Sequence, residues 1–175
     1  GGVFIDIGAW IGPTVLKASS RADKVIAYEP DPIAYEELQR NISHNNLTNV
    51  ELHNTALFDR DGVMNFGGGR SGVMGMSVSS LMSGDRGFQV NVRDIAKEVE
   101  RDEFKNCKLI KLDVEGAEYI ILEKIKPYLT SKKPNILISC HSRRISGDLG
   151  LKGRLRHLTK RFQLINILKK YNNVY

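Results

Sequence analysis

Short runs rich in β-branched and aromatic residues alternate along this chain with longer stretches of helical spacing, and that alternation constrains the fold more than any other feature. "VFID" and "KVIAYE" read as strands, and "PTVLKASS" between them reads as a helix with Pro13 at its first position, where a missing N–H costs nothing. Asp31 and Pro32 form a helix-start signal. Tyr35, Leu38 and Ile42 then share one face at i, i+3 and i+7, which predicts a helix ending near Asn45-Asn46. "NVELHNTAL" predicts a third strand; "KLIKLD", "NILISC" and "FQLINIL" predict later ones, with "AEYIILEKI" a helix between two of them. Strand and helix in regular turn argue for an α/β fold whose parallel sheet is covered on both faces. The length of 175 residues suits a single domain.

One segment breaks the pattern. Residues 66–88, "FGGGRSGVMGMSVSSLMSGDRGF", hold seven glycines and five serines. They read either as a long loop or loose hairpin, or as a segment facing the substrate, since long loops in compact domains often carry function. Charge is uneven as well. The net charge is +6, yet from Arg143 onward nine Lys/Arg oppose the single acid Asp148, a net of +8 that leaves −2 for residues 1–142. The basic stretch reads either as a solvated outer face or as a surface for an anionic partner. Cys107 and Cys140 lack metal-type or redox-type spacing, which predicts buried thiols in a reducing, cytoplasmic setting. No apolar run approaches the roughly 20 residues of a membrane span. The chain starts without methionine and enters the first strand at once, as expected of a fragment trimmed of an upstream segment.

In an open parallel sheet, ligands sit beyond the carboxyl ends of the strands, where strand order reverses. The turn after "VFIDI" is therefore the place to look for a site. A dinucleotide fingerprint starting at Gly8 needs glycines at positions 10 and 13, where this chain has Trp10 and Pro13. A Gly-Lys-Ser/Thr phosphate loop is absent from this turn too. What stands there is Asp6-x-Gly8-x-x-x-Gly12, a tight turn into a helix with a carboxylate at the strand end. Such a turn suits adenosine without phosphates and with a cationic, amino-acid-like end, as in S-adenosyl-L-methionine. An acid at the end of the second strand would then take both ribose hydroxyls, and Glu29 stands in that position.

With "VIAYEPDPIAYEELQRNISHN", "NVELHNTAL" and above all "LIKLDVEGAEYIILE" added to "FIDIGAWIGPTVL", the chain resembles the FkbM-type methyltransferases. These are a branch of the class I S-adenosylmethionine-dependent fold. The resemblance runs from Val3 to about Cys140. It implies a Rossmann-like, mostly parallel seven-stranded sheet with helices on both faces, and methyl transfer to a hydroxyl of a sugar or other natural product. Residues 1–142 would form the cofactor-binding core, and 143–175 a basic helix and strands completing the sheet. By position, Asp6, Gly8 and Gly12 would form the methionine-side turn and Glu29 would hold the ribose. Pro30 and the region from Asn54 to Ala56 would flank the adenine, and Asp113 and Glu115 would face the transferring methyl. The family often has Asn where Trp10 stands, so the indole would reshape or partly cap the pocket.

A hydroxyl is a poor nucleophile at neutral pH and needs a general base. Asp113, Glu115, Glu118 and His141 are the candidates, with Asp113 also placed to touch the cofactor; Glu118 could instead serve the dipole of a helix start. No compact ligand motif predicts a metal. The expected partner is a small-molecule or glycan hydroxyl acceptor. The alternatives are nucleic acid, as in an RNA methyltransferase, or a catalytically inactive cofactor-binding module acting through its basic C-terminal region.

Overall fold

A computed structural model describes residues 1–68, 79–81 and 87–139. Cys140, His141, the basic stretch from Arg143 and most of the glycine- and serine-rich segment lie outside the described residues. Five strands form the main sheet: β1 (Val3–Ile7), β2 (Lys24–Tyr28), β3 (Val50–His53), β8 (Cys107–Leu112) and β9 (Asn135–Ile138). Every pairing is parallel, in the order β3-β2-β1-β8-β9. The chain winds outward through β1, β2 and β3, then returns to lay β8 on the other side of β1. The switch point thus falls between β1 and β8. The α/β class holds, with five parallel strands among the described residues in place of the expected seven.

Helices cover both faces because successive strand residues point to opposite sides. On one face Phe4, Val25 and Ala27 pack against Val15 of α1 (Pro13–Ser19) and Leu38 and Ile42 of α2 (Pro32–His44). On the other, Ile5, Ile7, Ile26, Tyr28, Ile110 and Leu112 meet α3 (Ile95–Glu98), α4 (Asp102–Lys105), α5 (Glu118–Lys124) and α6 (Lys126–Lys132). The helix start at Asp31 is built as its sequence suggests. Its carboxylate accepts from the backbone N–H of Ile33 at 2.9 Å and Ala34 at 3.3 Å, with Pro32 in the first turn. Asp31→Ala should cost about 1 to 2 kcal/mol, since a buried cap is lost with two donors left unsatisfied. Urea denaturation checks this; an unchanged midpoint would mean that the cap contributes nothing.

A second, smaller sheet was not legible as such. β4 (Ala56–Phe58), β5 (Gly62–Gly68), β6 (Ser79–Ser80) and β7 (Phe88–Asp94) pair in the order β4-β7-β5-β6. "NVELHNTAL" is therefore two strands in two sheets. The break comes at Asn54-Thr55, where polar side chains bind elsewhere: Asn54 donates to the carbonyls of Glu29 (2.9 Å) and Pro30 (3.2 Å), and Thr55 to that of Asn91 (3.0 Å). The ends of the glycine- and serine-rich segment pair antiparallel, with Phe66 opposite Phe88. Cys107 is buried and free. Among the described residues, no helix is long and apolar enough to cross a membrane.

Candidate functional site

At the carboxyl ends of β1, β2 and β8 lies a cavity of about 260 Å³, walled by the Gly8–Trp10 turn, Tyr28 to Pro30, Thr55 to Leu57, Phe66, Leu81, Lys111 and Asp113 to Glu115. Its first wall exists because Gly8 has no side chain. Gly8 adopts φ +87°, and a Cβ there would sit 2.0 Å from the carbonyl oxygen of Asp113, so the turn and the loop after β8 close to backbone contact. The turn spends the N–H groups of Gly8, Ala9, Trp10 and Gly12 within the protein. Gly8 and Ala9 both donate to the Tyr28 carbonyl (3.0 and 3.1 Å), Gly12 donates to Ala9 (2.9 Å) and Trp10 to Glu29 (2.7 Å). A pyrophosphate needs such donors pointing outward, so the local geometry disfavours a dinucleotide, as Trp10 and Pro13 suggest.

Glu29 sits inside the cavity at the end of β2. One carboxylate oxygen accepts from Trp10 N–H and the other from Asp31 N–H at 2.8 Å. Burial pushes its pKa up to about 7, against the pull of those two donors. Each oxygen keeps a second lone pair, so the carboxylate can take two hydroxyl donors. Tyr28 beside it is held firmly: its ring stacks on His53 and its hydroxyl donates to Glu98 at 2.8 Å.

Asp6 occupies a different place from the other expected residues. It is fully buried behind the cavity wall, and Lys111, its register partner across β1 and β8, stands at the wall instead. The Lys111 ammonium lies 2.9 Å from Asp6 Oδ1, 2.9 Å from the Gly8 carbonyl oxygen and 3.8 Å from Asp113 Oδ2. Asp6 Oδ2 has no hydrogen-bond partner among the described residues. Burial lifts the Asp6 pKa to about 6, with Lys111 opposing the shift. Lys111 escaped the sequence reading although it lies within "KLDVEGAE". A lysine amid the apolar residues of a central parallel strand was the available signal, because lysine is almost never buried unless paired.

Of the remaining expected residues, Pro30, Ala56, Asp113, Glu115 and Trp10 line the cavity, whereas Gly12 and Asn54 stand behind it. Gly12 packs against Leu38, whose Cδ1 would lie 2.4 Å from an added Cβ, and Asn54 ties the Glu29-Pro30 backbone in place. Glu118 accepts twice from Gly116 N–H, at 3.1 and 3.0 Å, and so braces the loop carrying Glu115. Among the described residues, four non-glycine residues have positive φ. Asn46 and Lys133 follow helix ends, where that conformation is common; Trp10 (φ 51°) and Glu115 (φ 54°) line the cavity. Backbone strain of roughly 1–3 kcal/mol at such positions marks functional walls more often than scaffolding. Among the described residues, no three or more His, Cys, Asp or Glu side chains are grouped to hold a metal ion.

Comparison with known proteins bears on the same architecture. The sequence profile of the Methyltransferase FkbM domain matches residues 6–172. The crystal structure of Methyltransferase FkbM from Methylobacillus flagellatus KT superposes over 99% of this chain and 38% of that one, with a TM-score of 0.63 and 20% identity. A protein of Methanosphaera stadtmanae named "Probable ribosomal RNA small subunit methyltransferase A" is 44% identical over 49 residues, 28% of this chain and 18% of its own length. The chain thus spans well under half the length of these relatives.

Proposed function

This chain belongs to the FkbM methyltransferase family, and on that premise we propose that it uses S-adenosyl-L-methionine to methylate a hydroxyl oxygen on a sugar or other small-molecule acceptor. The observation that carries the reading is Glu29. A buried carboxylate faces the cavity one strand from the Gly8 turn, with lone pairs to spare and its pKa raised to about 7, beside a turn that spends four of its N–H groups internally.

The residues fit that cofactor by the chemistry of their donors: an acid for the ribose diol, the Pro30 and Ala56 wall for the adenine, and a charged stretch of wall for an amino-acid end. When bound, the cofactor supplies a methyl group on a sulfonium, open to in-line attack. Phe66, Leu81, Leu57 and Val114 give the cavity an apolar side that excludes water. Trp10 lines the cavity while keeping 36% of its surface exposed. Glu115, buried and held at positive φ, would take the proton of the acceptor hydroxyl as that oxygen attacks. Holding the reacting groups in line supplies much of the rate, and the base adds typically 10²–10⁴-fold. His141, the other candidate base, lies outside the described residues.

Trp10 is the only tryptophan of the chain, so its emission reads the site directly. Titration with S-adenosylmethionine or S-adenosylhomocysteine should change that emission saturably, whereas NAD should leave it unchanged. Glu115→Gln should keep the titration and lower methyl transfer to a hydroxyl acceptor by about 10²-fold or more. Absence of any response to both sulfur ligands, in fluorescence and in calorimetry, would sink the cofactor reading.

A further inference from the structure

Lys111 is the only cation among the described residues that line the cavity, and a need to neutralise Asp6 does not explain it. A buried ion pair on two central strands is commonly no more stable than apolar residues of the same volume, and valine or isoleucine would suit this sheet. Nor is the pairing complete. Lys111 bonds one oxygen of Asp6 and leaves Oδ2 without a partner, while spending a second N–H on the Gly8 carbonyl. Its third N–H has no acceptor within hydrogen-bond distance among the described residues, because Asp113 Oδ2 is 3.8 Å away.

Asp6 and the Gly8 carbonyl therefore act as a rigid seat that holds an ammonium at the cavity wall, and the Asp113 carboxylate stands beside it. A cation and an anion at that spacing are the complement of an α-amino-acid zwitterion. We infer that Lys111, seated by Asp6, receives the α-carboxylate of the ligand's amino-acid end, with Asp113 facing its ammonium. The inference rests on the cofactor reading above and goes beyond it in assigning the methionine end to Lys111 rather than to Asp6. Seating the ammonium beforehand lowers the ordering cost that a flexible lysine would otherwise carry into binding.

The test compares S-adenosylhomocysteine with 5′-methylthioadenosine, which keeps the adenosine and lacks the amino-acid end. Calorimetric affinities are measured for the wild-type chain and for Lys111→Met. S-adenosylhomocysteine should bind about 10- to 100-fold more weakly to the variant, the range of one charge-assisted hydrogen bond, and 5′-methylthioadenosine should bind as before. If Lys111→Met does not fold, Asp6→Asn combined with Lys111→Met leaves no buried charge alone and carries the same comparison. Equal weakening of both ligands would make Lys111 purely structural, and no weakening of either would make it irrelevant; both results overturn the inference. Failure of the wild-type chain to bind either ligand would instead overturn the cofactor reading, and this inference with it.

Discussion

Gly8→Ala should destabilise the chain by about 3 kcal/mol and abolish ligand binding. Two costs add. An L-residue at φ +87° gives up roughly 1–2 kcal/mol of backbone energy, and the new methyl meets the Asp113 carbonyl at 2.0 Å, an overlap that backbone can relieve only by moving, for typically 1–3 kcal/mol more. The movement would separate the ends of β1 and β8 and carry Lys111 and Asp113 away from the Gly8 turn. Gly12→Ala is the informative control. Its added methyl would strike Leu38 Cδ1, the end of a flexible side chain, so the packing share of its cost should be smaller. Urea denaturation of both variants, with S-adenosylhomocysteine titration in parallel, makes the comparison. Wild-type stability in Gly8→Ala would show that the β8 loop is free to withdraw and that the close contact is not a wall of the site.

Glu29 should make stability fall as pH rises. Burial lifts its folded pKa to about 7 from an unfolded value near 4.5, so between those values the native chain holds more protons than the unfolded one. Stability from this group is full below about pH 4.5 and is lost as pH rises through about 7, on the order of 3 kcal/mol in total. Asp6, lifted to about 6, acts in the same direction over a lower window. Glu51, held down to about 2 with help from Arg101 and Lys24, changes below that window and leaves it clear. The difference between wild type and Glu29→Gln therefore isolates Glu29, and the variant should show the shallower slope between pH 5 and 7.

Ligand binding should move the opposite way with pH. Hydroxyl donors favour the ionised carboxylate, so S-adenosylhomocysteine affinity should climb from pH 5 to about 7 and then level off. In Glu29→Gln it should be about 10- to 100-fold weaker and lack that part of the rise, because a hydrogen bond to a charged acceptor is lost. An unchanged affinity in the variant would remove Glu29 from the site.

Much of the main sheet was legible because each of its signals is local. Pro13 and Asp31-Pro32 mark helix starts through backbone chemistry that operates within a few residues, and the alternation of runs specifies parallel strands. The second sheet was obscured by a different circumstance. "FQVNVRD" does alternate, with Val90 and Val92 buried and Gln89 and Asn91 facing outward, and "DRDG" offers a turn before Gly62. Glycine and serine between those strands outweighed both signals. The split at Asn54-Thr55 could not be seen at all, since it depends on acceptors at Glu29, Pro30 and Asn91, far away in the chain.

The α/β class, the strand-turn-helix at Gly8, the position of Glu29 at the end of β2 and the family are each written in a short run of residues or in their order. Which side chains line the cavity beside that turn is visible only in the folded chain. Asp6 and Lys111 are 105 residues apart and become neighbours only when β8 is laid against β1. That register puts the lysine at the cavity and the aspartate behind it. Side-chain direction across a strand pair depends on pairing register, and a distance of that kind is carried by no single segment of the chain.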